Sequence, residues 1–202
     1  GVFVNVSQEM GGNPRIDDME IAQENGSMEG KEIRLGAGAT GLWSVATTVT
    51  SNGSVNGMHD STLPLSGMIE MLNMQINTWF GGVGVGWMNY FTFLIIAVFI
   101  SGLMVGRTPE FMGHKVEARE MKIASIVALL HPFVILVGTA LAAYLYVHAP
   151  AFVASEGGWV NNPGSHGLGE MLYEFTSCAA NNGSGFEGLG DNTWFWNFSC
   201  GI

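Results

Sequence analysis

Thirty-six consecutive residues, 71–106, contain no Asp, Glu, Lys or Arg, and a further 33, residues 123–155, are interrupted only by His131 and His148. A helix that crosses a bilayer needs about 20 mostly apolar residues. Met88 to Gly106 supplies 19 such residues, and Ile123 to Val147 supplies 25. At 1.5 Å per residue these are about 28 Å and about 37 Å of helix. Soluble helices of this length carry a charged face, so two spanning helices are expected, the longer one tilted. Composition agrees: 48% of residues are hydrophobic, only 12% are charged, and 29 are glycine.

The remaining charge gives orientation. Arg107, Lys115, Arg119 and Lys122 are four of the seven basic residues, and all fall between the two spans. The excess of Lys and Arg in cytoplasmic loops places 107–122 inside and the acidic stretches 1–60 and 148–192 outside. A net charge of −10 argues against nucleic-acid binding, which relies on basic surfaces. Two cysteines, Cys178 and Cys200, are too few for a disulfide-stapled scaffold, and whether they pair is left open. Gly1 stands where an initiator Met would be, and the apolar WFWNF run (194–198) begins just before Ile202. The chain therefore reads as an internal piece of a longer protein.

Before the first span, MIEMLNMQINTWF (68–80) has helical character but carries Asn73, Gln75 and Asn77, and GGVGVG (81–86) then breaks it. Two helical pieces joined by irregular backbone are expected, a device found where backbone lines a cavity. His131-Pro132 predicts a mild kink in the second span.

An internal repeat carries the chemistry. At an offset of 130 residues, Leu42-Trp43 aligns with Leu172-Tyr173, and Asn52-Gly53-Ser54 aligns with Asn182-Gly183-Ser184. The intervening residues are small or hydroxylated in both copies, VATTVTS and FTSCAAN. Each copy reads as a short helix, then a small polar segment with a central glycine. This is the layout of a pore loop, whose carbonyls replace the hydration shell of a cation. Helix C-termini aimed at the cavity and an acidic outer face both favour cations.

Other signals carry less weight. GAGATG (36–41) fits the dinucleotide-binding glycine pattern, but KEIRL before it is a poor strand and no βαβ unit fits. A membrane-bound dinucleotide-dependent oxidoreductase is thus a distant alternative. The Asn-x-Ser sequons at Asn5, Asn25, Asn52, Asn182 and Asn197 are expected by chance in a chain rich in asparagine. The five histidines show no metal-ligand spacing, and no nucleophile has a positioned base.

TSNGSVNGMHDS (50–61), FGGVGVG (80–86), AVFISGLMVGRTPEFMGHKVEAREMK (97–122) and NPGSHGLGEMLYEFTSCAANNGSGFEGLGDNT (162–193) resemble the potassium-translocating A subunit of bacterial Kdp-type potassium-transporting ATPases. The likeness begins near residue 28; residues 1–27 match nothing recognisable. The resemblance implies an all-α polytopic membrane protein built from helix–pore loop–helix repeats with a broken spanning helix. It also implies a pore-forming, non-catalytic, potassium-binding subunit in the bacterial inner membrane. Its partners would be a P-type ATPase catalytic subunit, which alone uses ATP, and small accessory subunits.

Carried over by position, Thr50, Ser51, Asn52, Gly53 and Ser54 form one segment of a potassium filter. Ala180, Asn181, Asn182, Gly183 and Ser184 form another. Gly81, Gly82, Val83, Gly84, Val85 and Gly86 match the family's gating loop. His59-Asp60 matches its MHDS motif, which orders backbone behind the filter. Where some members carry an acid before the FGGVG loop, this chain has Asn77-Thr78. The expected organisation is an outer segment at 1–40, one repeat at 41–106, a cytoplasmic loop at 107–122 and a second, truncated repeat at 123–202. A passive or sodium-coupled Trk/Ktr-type potassium transporter is the nearest alternative.

Overall fold

A computed structural model describes all 202 residues. The architecture is helical, apart from a two-stranded antiparallel hairpin, β1 (Glu110–Phe111) and β2 (His114–Lys115). There is no parallel sheet, and Gly36–Gly41 form the opening turns of a helix, so no dinucleotide-binding βαβ unit exists in the chain.

The helices are α1 (Val2–Gly11), α2 (Gly36–Val49), α3 (Pro64–Ile76), α4 (Val85–Val105), α5 (Ala118–His148), α6 (Pro150–Ser155), α7 (Ser165–Ala179) and α8 (Trp194–Gly201). Helix α1 packs on α2 and α3, α3 touches α7, and α7 is held between α5 and α8. The two apolar stretches are α4 and α5, with mean hydropathies of 2.0 and 2.3. Only Gly86 is buried along the whole of α4. A 21-residue apolar helix with no buried face in its own chain needs an apolar surrounding, which a bilayer supplies.

Helix α5 begins at Ala118, five residues before the apolar run, so Arg119 and Lys122 belong to its first turns and not to a loop. The reason is a reciprocal cap: the side chain of Glu117 accepts from the backbone at Glu120, while the Glu120 carboxylate accepts from the Glu117 N–H at 3.0 Å. The helix continues unbroken through Pro132. His131 is a packing residue: its Nε2 lies 3.2 Å from the Met74 carbonyl, joining α5 to α3.

The first 40 residues are integrated into the fold. Asn5 donates to Ser44 Oγ at 2.9 Å, and the buried Glu9 pairs with Lys31 at 2.8 Å and accepts from the Leu63 N–H at 2.9 Å. A buried carboxylate is tolerated only with such partners.

The larger core lies beneath α7, where Met171 and Phe175 meet Ala142, Trp159 and Trp196. A smaller one joins Met74, Tyr173, Ala180 and Phe186. Helices α5 and α7 approach closely at Gly138, where a β-carbon would lie 2.5 Å from the Phe175 ring. Gly138→Val is expected to destabilise the full-length protein by about 1–3 kcal/mol, read as a lower thermal unfolding midpoint. Phe175→Leu in the same chain should recover part of the loss.

Candidate functional site

The two repeated segments end their helices in the same way. In the first, the Thr50 N–H donates to Ala46 O, Ser51 takes the left-handed conformation (φ 52°), and the Asn52 N–H returns to Thr47 O at 3.1 Å. In the second, the Ala180 N–H donates to Thr176 O, Asn181 is left-handed (φ 63°), and the Asn182 N–H returns to Ser177 O at 2.9 Å. Both are Schellman-type reversals, which satisfy helix carbonyls while turning the chain sharply back. A non-glycine residue in this conformation carries a cost of roughly 1–2 kcal/mol. Both copies carry it, at positions 130 residues apart.

Within the expected segments 50–54 and 180–184, Thr50–Ser51 and Ala180–Asn181 therefore form helix caps, and the chain is clear of the helices only from 52 and 182. The central glycines serve different needs. Gly183 has φ 81°, a region closed to most side chains, with open space around it. Gly53 is demanded by proximity: a β-carbon there would lie 2.5 Å from the Asn182 carbonyl oxygen.

The two segments thus meet. The Asn182 carboxamide donates to Thr47 O at 3.1 Å and to Asn52 O at 3.3 Å. The Thr47 hydroxyl lies 2.6 Å from Asn52 O and 2.8 Å from Ser54 O, and the Trp43 indole N–H donates to Ser54 O at 3.1 Å. The carbonyls of Asn52 and Ser54 face the protein's own donors, because α2 presents Thr47 and Trp43 there. The carbonyls of Gly53, Asn182, Gly183 and Ser184 accept no hydrogen bond from the protein.

The aromatic of each copy tethers its own segment. Trp43 reaches Ser54, and Tyr173, its repeat partner, lies 3.2 Å from Ser184 Oγ. Tyr173 is fully buried, stacks on Phe186 at 4.1 Å and bonds to His59 Nδ1 at 2.7 Å. His59 thus joins the loop after the first segment to the residue closing the second.

The six residues 81–86 divide at the start of α4. Gly81–Gly84 form the break after α3, with positive φ at Gly81 and Gly84, while Val85 and Gly86 are already helical. Gly84 at the N-cap ends the irregular stretch, so the helix starts two residues inside the expected loop. The break rests on both caps. The Gly81 N–H donates to Val49 O at 2.9 Å, and a β-carbon on Gly82 would touch Ser51 at 3.4 Å and Asn181 at 3.6 Å. Asn77, where some members of the resembled family carry an acid nearby, accepts from the Ser51 hydroxyl at 3.3 Å, and its carbonyl accepts from Asn89 at 3.0 Å.

Sequence reasoning missed two side-chain groups here. Cys178 and Cys200 are unpaired, and both point at Glu174 Oε1, at 3.5 and 3.7 Å. Asp60 Oδ1 meets His166 Nε2 at 2.7 Å, and Glu170 Oε1 lies 3.9 Å from that nitrogen. Residues 106 apart in sequence leave no local spacing to find. Burial raises the Glu170 carboxyl pKa, and the Asp60 charge adds to the effect while the Asn162 hydrogen bond opposes it.

This geometry defines a helical membrane protein with two spanning-length helices and a duplicated helix–reversal unit. Over residues 1–202 the chain matches the family model described as "Potassium-transporting ATPase A subunit". It belongs to that family, residues 1–27 included. It is 89% identical over 202 residues to a protein of Phocaeicola vulgatus and 82% identical to one of Bacteroides thetaiotaomicron, each covering the whole chain and 36% of the relative. A Geobacillus kaustophilus protein is 48% identical over the whole chain and 34% of its own length. All three bear the name "Potassium-transporting ATPase potassium-binding subunit". The chain spans about a third of the length of these relatives.

Burial holds the His59 imidazole pKa down to about 4 from 6.5. A folded-state pKa below the unfolded value gives stability that is fully present above pH 6.5 and lost as pH falls toward 4. Relative to His59→Gln, the wild-type protein should lose up to about 3 kcal/mol across that window, read from thermal unfolding at stepwise pH. Parallel curves for the two proteins would remove His59 as the cause.

Proposed function

We propose that this chain is part of the pore-forming, potassium-translocating subunit of an ATP-driven potassium importer in a bacterial inner membrane. Residues 50–54 and 180–184 are two segments of its filter, and 81–86 is a gating loop beneath them. The subunit performs no hydrolysis; a P-type ATPase subunit supplies the energy, with small accessory subunits in the same complex. Residues 41–106 and 123–202 are two successive helix–pore loop–helix units, joined by a cytoplasmic connection near 107–122.

The observation carrying this reading is the congruence of the two reversals. Left-handed Ser51 and Asn181, with return bonds from Asn52 and Asn182, put the two segments side by side. Such a pair leaves backbone oxygens clear of protein donors at Gly53 and 182–184. Carbonyl oxygens are the ligands that replace water around potassium. The C-terminal ends of α2 and α7 are joined through the Asn182 amide and Thr47 O, and their partial negative charge favours a cation near them. The break at 81–84 touches both caps, which suits a gate: moving it shifts the floor on which both segments stand.

The test is potassium uptake by cells carrying the full-length gene and its ATPase partner. Gly53→Asp and Gly183→Asp should each abolish selective uptake, the first by collision with Asn182 and the second by strain and charge in the ion path. Uptake and selectivity that survive both substitutions overturn the filter assignment. Deleting two residues from 81–84 should change transport rate more than potassium affinity; a change in affinity alone excludes a gate. Loss of uptake in the absence of the ATPase partner separates this reading from a passive or sodium-coupled transporter.

A further inference from the structure

Asp60, His166 and Glu170 are drawn together from two repeats. Asp60 lies in the short 3-10 turn His59–Ser61, and its backbone N–H donates to Glu187 Oε2 at 3.0 Å. His166 and Glu170 are i and i+4 in the first turns of α7, so they share one helix face. One nitrogen and two carboxylate oxygens from these residues lie within 4.8 Å of one another.

Three observations separate this group from an ordinary surface ion pair. Glu170 is fully buried, its Oε1 is held by the Asn162 amide at 2.9 Å, and its Oε2 has no partner at all. An enclosed carboxylate is costly without donors or a counter-charge, and here the Asn162 amide reaches Oε1 alone, the same oxygen that faces His166 Nε2 at 3.9 Å. Gly188 keeps the space open: a β-carbon there would run into Glu170 Oε1 and come within 2.7 Å of Asp60 Oδ2. Access exists, since the His166 side chain is 47% exposed and lines a cleft of about 380 Å³ with Asp60 and Arg15.

The donor set selects the metal. Potassium does not use imidazole; one imidazole with two carboxylates suits zinc or a similar divalent transition metal. Donors about 2.1 Å from a tetrahedral zinc ion stand about 3.4 Å apart. The observed separations from His166 Nε2, 2.7 Å to Asp60 and 3.9 Å to Glu170, bracket that value. We propose that Asp60, His166 and Glu170 form a zinc-binding site that clamps the loop after the first repeated segment to the start of α7. The bound ion takes the place of the proton between Asp60 and His166, and water completes its coordination from the exposed side.

The test is titration of zinc chloride into the tag-free full-length protein in its purified complex, by calorimetry and thermal unfolding, without potassium or ATP. Saturable binding of one zinc per subunit and a zinc-dependent rise in unfolding midpoint are expected. His166→Ala and Glu170→Gln should each weaken binding about tenfold or more, while Arg15→Ala in the same cleft leaves it unchanged. Glu174, Cys178 and Cys200 form a second cluster with ligand atoms equally close. The double variant Cys178→Ser/Cys200→Ser should therefore keep wild-type binding. Absence of saturable binding in the wild type overturns the proposal. So does unchanged affinity in Glu170→Gln, whose near-identical shape guards against misfolding, or loss of binding in the cysteine variant. Because zinc binding is read without transport, none of these outcomes bears on the potassium reading.

Discussion

Backbone that leaves a helix needs new partners for the carbonyls and N–H groups that the helix no longer pairs. That requirement shapes the centre of this structure. Each of α2 and α7 ends in a reversal that returns an N–H to its own helix, at Thr47 O and Ser177 O. The chain beyond each reversal is then held by groups of the same unit: the Thr47 hydroxyl, the Trp43 indole and the Tyr173 hydroxyl. The other unit adds a second donor to carbonyls already paired in the first, as the Asn182 amide does for Thr47 O and Asn52 O. The two units depend on each other at this point, and the break at 81–84 is seated on both through Val49, Ser51 and Asn181.

The duplication is unequal in detail, and the inequality follows from the contacts. Thr47 has two carbonyl oxygens within reach, whereas its counterpart Ser177 has a buried hydroxyl with no partner. Gly53 is required by a neighbouring carbonyl and Gly183 by its own φ. A single motif, Asn-Gly-Ser, therefore conceals two physical reasons for the same residue. In the proposed filter, the first segment is the braced one and the second keeps more of its oxygens available.

Much of this was legible from residue order. The spans announced themselves through missing charge, since a run of 36 residues without an ionised side chain has few other homes. The repeat was visible because Leu-aromatic and Asn-Gly-Ser recur at one fixed offset. Helix ends were less visible. The five residues by which α5 precedes its apolar run come from a cap between Glu117 and Glu120, in which local hydrogen bonds outweigh hydropathy. Left-handed Ser51 and Asn181 gave no warning, because reversals of this kind usually advertise themselves with glycine.

The sequence by itself determined that the chain is a helical membrane protein with two spans, a glycine-rich break before the first, and a duplicated unit. Those properties depend on hydropathy and on local spacing, which a linear chain displays. Tertiary structure alone decided which carbonyls remain open, since that depends on where Thr47, Trp43 and Asn182 place their donors. It also decided that His59 reaches Ser184 through Tyr173, and that Asp60 meets His166 and Glu170. These are contacts across more than a hundred residues, and no periodicity or motif encodes a distance that exists only once the helices have packed.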